Sequence, residues 1–309
     1  MTADSVPPNH RDSPPDFGPV ETDGARFLIG KTLSDDLPDI DVTTDPLIPA
    51  DVWVEAAFVA RQGGVLSGLP VVALLFEQVD PTLELHVDRG DGGRVEPSDI
   101  LARVSGPARA VLRAERPALN FLQHLSGIAS RTREFVDSLA GTGCALFDTR
   151  KTTPGWRGLE KYAVRCGGGR NHRRDLSEFA LIKDNHRQIL ADLGDPDIAS
   201  WIRKIRALRS GVLVELEIDE RGDLTEALEA QPDLLLLDNF SLSDLRHAVQ
   251  VVREWPGPKP ALEASGGVDL STARAVAETG VDRVAVGALT HSAPALDIGL
   301  DLMGTSKPE

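Results

Sequence analysis

The chain has 309 residues and a formal net charge of −15, with 48 acidic side chains against 33 lysines and arginines. This length allows one large and one smaller domain, and 41% hydrophobic residues can fill a sizeable core. A surface this acidic repels nucleic-acid phosphates and anionic membranes, so we expect neither as a partner. The two cysteines cannot build a disulfide framework, and we recognise neither a signal peptide nor a membrane-spanning run, so we expect a cytoplasmic protein.

The first third of the chain predicts a tail and a small domain. Residues 1–24 carry prolines and charges without hydrophobic periodicity, which is typical of a disordered tail. Over residues 25–118, runs such as VWVEAAFVA and LELHVDRGDGG alternate with glycine turns, which predicts strands in hairpins and an α+β domain. Apolar residues at helical spacing between Pro117 and Gly141 predict a helix that starts at the proline. His124, among these apolar residues, is interpreted as a packing residue.

After Gly141, short apolar runs that end in polar residues alternate with helical segments. The runs are CALFDTRK, FALIKDNH, VLVELEID, LLLLDNFS, ALEASGG and RVAVGALTH. Runs without polar alternation indicate strands buried on both faces, and intervening helices indicate a parallel sheet. We predict an α/β barrel over residues 119–291, with functional groups at the carboxyl ends of its strands. A doubly wound open sheet would share this pattern.

Basic residues outnumber acidic ones between residues 150 and 187, against the trend of the whole chain. Arginine binds carboxylates and phosphates with a two-pronged fork, and lysine adds a point charge. The stretch therefore predicts a pocket for a multiply anionic small molecule, with Arg150, Lys151 and Lys183 as its residues. The glycine triplet before Arg170 fits either close approach of a ligand or a flexible loop.

Carboxylates and glycines follow the later runs. Glu217 and Asp238 end neighbouring strands, where carboxylates hold hydroxyl groups or, through water, Mg²⁺. Strand alternation puts Glu215 on the same face as Glu217, so which of the two leads stays open. The turns ASGG and VGAL lie where barrels bind phosphate, although plain tight turns have similar sequences. Together these features suggest a phosphorylated sugar that meets an anionic acid.

Seven segments resemble the motifs of the quinolinate phosphoribosyltransferase family, in the family's order and spacing. They are ERPALNFLQHLSGIAS, DTRKTTPG, EKYAVRCGGGRNHR, LIKDNH, LLDNF, EASGG and VGALTHS. The likeness runs from about residue 41 to the end of the chain, while DLPDIDVTTD and RRDLSEFA depart from the family's usual sequence.

The resemblance implies an α/β fold with two domains. An N-terminal α/β sandwich over residues 25–118, completed by residues 292–309, would accompany an open, incomplete α/β barrel of the type II phosphoribosyltransferase kind. The implied reaction transfers phosphoribosyl from phosphoribosyl pyrophosphate to quinolinate with decarboxylation, giving nicotinate mononucleotide, pyrophosphate and carbon dioxide for de novo NAD biosynthesis. Mg²⁺ would be the cofactor. The implied assembly is a head-to-tail homodimer with shared active sites, or a larger assembly of such dimers.

The resemblance also implies roles for individual residues. The partner's Arg116 would bind quinolinate carboxylates together with four residues of the same subunit, namely Arg150, His172, Arg173 and Lys183. Lys151 would lie between the two substrates. Glu217 and Asp238 would hold ribose hydroxyls and Mg²⁺. The phosphate-binding residues would be Ser265, Gly266, Gly267, Gly287 and His291. The residues with catalytic roles would be Lys151, Lys183, Glu217 and Asp238.

Two alternative functions stay open at this point. A phosphoribosyltransferase of the same kind would act on another aromatic acid as its acceptor. A Schiff-base lyase on the same barrel would use Lys151 or Lys183 as a strand-end nucleophile.

Overall fold

The computed structural model describes residues 15–36 and 40–307, which divide into two compact units. The N-terminal unit contains the described residues up to Arg133, then Lys151–Gly169, and then the residues from Leu289 onward. The barrel unit contains Glu134–Arg150 and Arg170–Ala288. This division differs from the predicted barrel range of residues 119–291, because residues 119–133, 151–169 and 289–291 fall in the N-terminal unit.

The first helix begins inside the predicted tail. Residues 1–14 of that tail lie outside the described residues, but helix α1 spans Pro19–Asp36. Ala25, Leu28 and Ile29 are buried on one side of this helix, and Glu21 accepts a hydrogen bond from Arg165 at 2.8 Å. The prediction of disorder is therefore wrong from Pro19, because few apolar residues suffice to anchor a helix that also makes an ion pair.

An antiparallel sheet of four strands forms the centre of the N-terminal unit. Its strand order is β12-β1-β5-β3, from β1 (Trp53–Ala60), β3 (Glu84–Val87), β5 (Ile100–Pro107) and β12 (Ile298–Ser306). A second pair joins β2 (Gly64–Val65) to β4 (Arg94–Val95). The helices are α2 (Thr44–Leu47), α3 (Leu69–Val79), α5 (Arg157–Cys166) and α11 (Ala288–His291), besides α1 and most of α4. The C-terminal strand is thus part of this sheet.

Helix α4 spans Ala108–Ser138 and continues through Pro117, where the sequence predicted a start. The prediction is wrong because a buried apolar stripe runs along the helix on both sides of the proline. Its fully or almost fully buried members are Val111, Ala114, Ala118, Leu122 and Leu125. A proline inside a helix removes one hydrogen bond and costs about 3 kcal/mol, which the packing of this stripe offsets. Arg116 therefore lies exposed within the helix and not at its first turn.

A parallel sheet of six strands forms the barrel unit. Its strands are β6 (Ala145–Phe147), β7 (Ala180–Ile182), β8 (Val214–Ile218), β9 (Leu234–Asp238), β10 (Ala261–Ser265) and β11 (Arg283–Ala285). The strand order is β6-β11-β10-β9-β8-β7, and every neighbouring pair is parallel. The first two strands, β6 and β7, are the two edges of the sheet, so the prediction of an α/β fold with an open barrel is confirmed.

Helices alternate with these strands as the sequence pattern indicates. They are α6 (Asp184–Asp192), α7 (Ile198–Leu208), α8 (Leu224–Glu229), α9 (Leu242–Glu254) and α10 (Ala273–Ala277). Asp197 caps α7 by accepting a hydrogen bond from Ser200 N at 3.0 Å, and Ser241 caps α9 in the same way. Over the part of the chain that the structure describes, no helix combines the length and the apolar character needed to cross a bilayer.

Candidate active site

Polar side chains of the barrel unit gather at the carboxyl ends of four adjacent strands. Lys183 follows β7 directly, Glu217 lies near the end of β8, Asp238 ends β9 and Ser265 ends β10. The register pairs Ser265 with Asp238, so these two residues lie side by side. The parallel strands therefore bring these four residues to one edge of the sheet, as the sequence pattern predicted.

An acidic cluster occupies this edge. Carboxylate oxygens of Glu217, Asp219 and Asp238 lie within 4.8 Å of one another. Lys183 Nζ donates to Glu217 Oε2 at 2.9 Å. Burial raises the pKa of Glu217, and the charge of Asp238 adds to this although Lys183 opposes it. Burial and the charges of Asp184 and Asp238 also raise the pKa of Asp219. Negative charge is thus crowded here, and a cation would relieve it.

Glu215 and Glu217 have different surroundings, which answers the question that strand alternation left open. Glu217 belongs to the acidic cluster. Glu215 lies two residues earlier on β8 and is fully buried. Its Oε2 lies 3.0 Å from Nε2 of His172. The buried Glu263 of β10 also faces this imidazole, with 3.5 Å between Oε1 and Nε2. Glu217 is therefore the carboxylate that accompanies Asp238.

Arg150 and Arg173 form the cationic part of the barrel unit. Arg173 is buried, donates to the carbonyl of Phe179 at 3.1 Å, and its guanidinium lies 5.8 Å from the centre of the Phe179 ring. Burial lowers the pKa of Arg173, and the positive charge of Arg150 lowers it further. Two guanidinium groups therefore act on the same region, which favours an anionic ligand there.

A buried aspartate positions the segment that carries His172 and Arg173. Asp148 follows β6 and accepts hydrogen bonds from His172 N at 2.7 Å and from Asn171 Nδ2 at 2.8 Å. Arg170 forms a parallel bridge with Phe147 of β6. These contacts bring residues 170–172 to the edge strand, although they are distant from it in the sequence.

Tight geometry fixes the glycine turn after β10. Gly266 has φ +92°, and a methyl group there would overlap Asn239 Oδ1 and lie 2.8 Å from Asn239 N. Asn239 in turn donates to Asp238 Oδ2 at 2.6 Å and to the carbonyl of Ser265 at 2.9 Å. Gly267 has φ +61° but open space around it. The turn is therefore packed against the residue that follows Asp238, and Gly287 lies just beyond the adjacent strand β11.

Three predicted site residues, Arg116, Lys151 and His291, belong to the N-terminal unit. Lys151 is exposed, and its carbonyl accepts a hydrogen bond from Thr290 Oγ1 at 2.8 Å. Thr290 directly precedes His291 at the end of α11, so the structure brings Lys151 and His291 close together.

The loop after Lys151 is anchored by a buried carboxylate. Glu160 of α5 accepts from Thr153 N with one oxygen, and its other oxygen lies 3.1 Å from His124 Nε2. His124 also contacts Trp156 edge to face, with 5.0 Å between ring centres. The interpretation of His124 as a packing residue is therefore incomplete, because its ring supports the carboxylate that holds the Thr-Thr-Pro-Gly turn.

The glycine triplet has a structural explanation within the N-terminal unit. A methyl group on Gly167 would overlap the carbonyl of Ala129, and one on Gly169 would lie 2.8 Å from Thr132 Cγ2. Gly168 adopts φ +88° between them. The triplet thus allows close packing against α4, a role that the sequence analysis did not include.

Asp219, Glu263 and Thr290 are among the residues of the site that were not predicted from the sequence. Asp219 continues the alternation of Glu215 and Glu217 in VELEID, and Glu263 shares a face with Ser265 in ALEAS, so both carried a signal. Thr290 carried none, because its hydrogen bond goes to a main-chain carbonyl, which any residue provides.

The fold and the polar strand ends define an enzyme of the open α/β-barrel class. Residues 128–301 match the family described as quinolinate phosphoribosyl transferase, C-terminal domain, and residues 41–126 match its N-terminal domain. These matches cover most of the chain. The chain belongs to the quinolinate phosphoribosyl transferase family.

Individual relatives are similar along almost their whole length. The nicotinate-nucleotide pyrophosphorylase [carboxylating] of Mycobacterium leprae is 43% identical over 286 residues, covering 91% of this chain and 98% of the relative. A probable enzyme of the same name from Bacillus subtilis is 37% identical over 281 residues, covering 90% and 93%. The solved nicotinate-nucleotide pyrophosphorylase of Francisella tularensis superposes with a TM-score of 0.85 at 35% identity, covering 91% and 96%.

Proposed function

We propose that this chain transfers phosphoribosyl from phosphoribosyl pyrophosphate to quinolinate and releases pyrophosphate and carbon dioxide, forming nicotinate mononucleotide. The observation that supports this most strongly is that the barrel unit holds both a pair of arginines, of which Arg173 is buried and Arg150 half-buried, and an acidic cluster. Arg150 and Arg173 suit an acid with two carboxylates, whereas Glu217 and Asp238 suit the hydroxyl groups of a sugar. The relatives named above are enzymes of this reaction.

The acid substrate is bound by cations in this proposal. Arg173 and Arg150 each offer a fork of donors to one carboxylate, and Lys183 adds a charge. The imidazole of His172 donates a further hydrogen bond, and the partner's Arg116 completes the set. An acid that lacks one of the two carboxylates would leave desolvated guanidinium groups without a counter-ion, which disfavours nicotinate as an acceptor.

The sugar and its phosphates occupy the other strand ends. Glu217 and Asp238 accept hydrogen bonds from the ribose hydroxyls, and Lys151 neutralises the phosphates beside the acid. The 5′-phosphate binds to the turns after β10 and β11, and the residues assigned to it are Ser265, Gly266, Gly267, Gly287 and His291.

The acidic cluster fits Mg²⁺. Its three carboxylates are hard oxygen donors within 4.8 Å of one another, and burial, with neighbouring negative charge as a further cause, raises the pKa values of Glu217 and Asp219. Glu217 and Asp238, with Asp219, would hold the ion directly or through water. When bound, Mg²⁺ supplies positive charge that stabilises the leaving pyrophosphate.

The chemistry then follows from positioning and charge. The pyridine nitrogen attacks the anomeric carbon as the bond to pyrophosphate breaks, and the carboxylates near the ribose stabilise the positive charge that develops on the sugar. The alkylated ring is cationic, so it accepts the electron pair that remains when the neighbouring carboxylate leaves as carbon dioxide. A proton replaces the lost carboxylate. The protein's part is to align the two substrates and to neutralise their charges.

The test is an assay of nicotinate mononucleotide formation from quinolinate and phosphoribosyl pyrophosphate. We expect activity only with both substrates and Mg²⁺, with loss in excess chelator and recovery when Mg²⁺ is restored. Full activity in chelator would contradict the role of the metal, and equal turnover of nicotinate would favour a different acid acceptor.

A separate measurement addresses the metal site without turnover. Mg²⁺ should raise the thermal unfolding temperature of the protein with phosphoribosyl pyrophosphate present, and Glu217→Gln should reduce this shift. Glu278→Gln is the matched control, because Glu278 makes only an exposed pair with Arg274 at 2.9 Å. Equal shifts in all three proteins would remove Glu217 from the site.

The alternative Schiff-base lyase is tested by borohydride trapping with substrate. Lys183 Nζ donates to Glu217 Oε2 at 2.9 Å, and a nitrogen held in this contact is a poor nucleophile, so we expect no covalent adduct. A substrate-dependent adduct on Lys151 or Lys183 would support the lyase.

A homodimer with shared sites is part of the same proposal, and exposed Arg116 on α4 is the residue that would act in the partner. Arg116→Ala and Lys183→Ala should each be inactive yet folded. After subunit exchange, a heterodimer has one site with both changes and one with neither, so activity should return toward half per heterodimer. Persistent inactivity, with exchange shown independently, would place Arg116 outside the partner's site.

We also propose a cytoplasmic location. The two free cysteines support it, because a reducing compartment keeps thiols unpaired.

A further inference from the structure

Arg187, near the start of α6, contacts the loop that follows β8 at two points. Its Nη2 donates to Asp223 Oδ2 at 2.5 Å, and its Nη1 lies 3.5 Å from the main-chain oxygen of Glu217. Asp219 directly follows β8 and lies between these two contacts in the sequence. One guanidinium group therefore holds the loop on both sides of Asp219.

The helix that carries Arg187 is fixed at the end of β7. His186 Nδ1 accepts a hydrogen bond from Lys183 N at 3.0 Å, and Arg187 N donates to the carbonyl of Lys183 at 3.1 Å. No residue of α6, all of which the structure describes, is buried, so polar contacts rather than a buried apolar face join this helix to its surroundings. Lys183 and Arg187 both contact Glu217, one at its carboxylate and the other at its main-chain oxygen.

The loop itself has little apolar support. Asp219 and Glu220 are exposed, and the short 3-10 turn at Arg221–Asp223 has no buried residue. The ion pair that holds the loop is better shielded than the loop, because only 21% of the Arg187 side chain and 31% of the Asp223 side chain are exposed. Such a pair depends less on solvent screening than a fully exposed one.

We propose that Arg187 is a positioning residue that, together with Asp223, holds the loop after β8 so that the carboxylate of Asp219 stays in the acidic cluster. Asp219 then serves with Glu217 and Asp238 around the cation. The inference rests on the proposed function, because Mg²⁺ and phosphoribosyl pyrophosphate would occupy this cluster. Arg187 touches neither of them in this proposal.

The charge of Arg187 and its positioning role have opposite effects on a cation. A guanidinium near the cluster repels Mg²⁺, so its removal would by charge alone strengthen Mg²⁺ binding. Removal of the negative charge of Asp223 would by charge alone weaken it. Loss of positioning weakens binding in both cases, because Asp219 is no longer held among the other carboxylates. The direction of the change in an Arg187 variant therefore separates the two effects.

Thermal unfolding over a series of Mg²⁺ concentrations, with and without phosphoribosyl pyrophosphate, measures this binding without turnover. Arg187→Gln and Asp223→Asn should each raise the Mg²⁺ concentration that gives half of the stabilisation by roughly tenfold, a typical effect of losing a residue that supports a metal ligand. The double variant should be no weaker than either single variant. An unchanged or lower Mg²⁺ concentration in Arg187→Gln, fully additive effects, or no stabilisation of the wild type by Mg²⁺ would each overturn the proposal.

Arg187→Lys is a second variant that tests the inference even if Arg187→Gln does not fold. It keeps the positive charge, but an ammonium lacks the fork that reaches both sides of the loop. We expect Arg187→Lys to weaken Mg²⁺ binding in the same direction. A wild-type response would show that charge is sufficient and would overturn the positioning role.

Arg206 provides the matched control. It donates to Asp233 Oδ2 at 3.0 Å and to the carbonyl of Gln231 at 3.1 Å, so it also joins a helix, α7, to a loop through a carboxylate and a main-chain oxygen. Asp233 directly precedes β9, at the amino ends of the strands and thus at the edge opposite the acidic cluster. Arg206→Gln should lower the unfolding temperature but leave the response to Mg²⁺ unchanged. An equal loss of that response would make general destabilisation the cause and overturn the proposal.

Steady-state kinetics then separate this inference from the proposed function. Arg187→Gln should raise the KM for phosphoribosyl pyrophosphate more than the KM for quinolinate, and equal increases would overturn the inference. If the wild type forms no nicotinate mononucleotide, the proposed function fails, while the Mg²⁺ titrations still report whether Arg187 positions Asp219. If the wild type is active and Arg187→Gln responds to Mg²⁺ as the wild type does, only the inference fails.

Discussion

Two adjacent glycines after β10 allow a matched test of the candidate phosphate turn. Gly266→Ala places a methyl group against Asn239, with 2.8 Å to its main-chain N, at φ +92°. The positive φ costs roughly 1–2 kcal/mol and the overlap roughly 1–3 kcal/mol more, which gives roughly 2–5 kcal/mol of lost stability. Gly267→Ala, at φ +61° in open space, should lose only the first part, roughly 1–2 kcal/mol.

The same overlap has a functional consequence. Asn239 can escape the methyl group only by moving, and it donates to Asp238 Oδ2 at 2.6 Å, so the carboxylate should move with it. We therefore expect Gly266→Ala to raise the KM for phosphoribosyl pyrophosphate more than the KM for quinolinate. Gly267→Ala should raise the KM for phosphoribosyl pyrophosphate less than Gly266→Ala does. Denaturant unfolding measures the stabilities of the variants, and steady-state kinetics give their KM values. Equal stability losses in the two variants would refute the reasoning from space at Gly266.

Three further changes test other parts of the site and the fold. Arg173→Ala should weaken the use of quinolinate by roughly 2–5 kcal/mol of transition-state binding, with a smaller change for phosphoribosyl pyrophosphate, and equal losses would argue against a separate acid pocket. Glu160→Ala removes the acceptor for Thr153 N, so it should cost roughly 1–3 kcal/mol of stability and lower kcat, whereas full activity would show that the loop needs no anchor. Burial raises the pKa of both Cys144 and Cys166 to about 12. A thiol reagent at pH 8 should therefore react slowly with the native protein, whereas after unfolding it should react readily with both thiols. Fast reaction of the native protein would contradict this burial.

The parallel sheet was predictable because its strands are buried on both faces. LLLLD of β9 and VELEI of β8 are continuous runs, and parallel pairing then places Glu217, Asp238 and Ser265 at one edge. The open form of the barrel did not follow from six runs; the family resemblance implied it. Helix α1 was missed because its buried residues are few and lie among charges.

Other features depend on contacts between residues that are distant in the sequence. Pro117 marks a helix start locally, but a buried stripe on both sides of it overrides that preference. Strand alternation could not separate Glu215 from Glu217, because the difference lies in their partners, His172 and Lys183. For the same reason, the contact of His124 with Glu160 could not be predicted, because locally His124 is surrounded only by apolar residues of the helix.

The pairing of β12 with β1 has a consequence for the order of folding during synthesis. All of β1, from Trp53 to Ala60, pairs with residues 298–306, and Arg61 adds an ion pair with Asp301 at 2.5 Å. The ribosome must therefore release the whole barrel sequence before the sheet of the N-terminal unit can gain its last strand. Contacts so distant in sequence form slowly, and until then β1 has an unpaired, aggregation-prone edge. The nascent chain thus depends on the late arrival of a nine-residue strand to protect its earliest one.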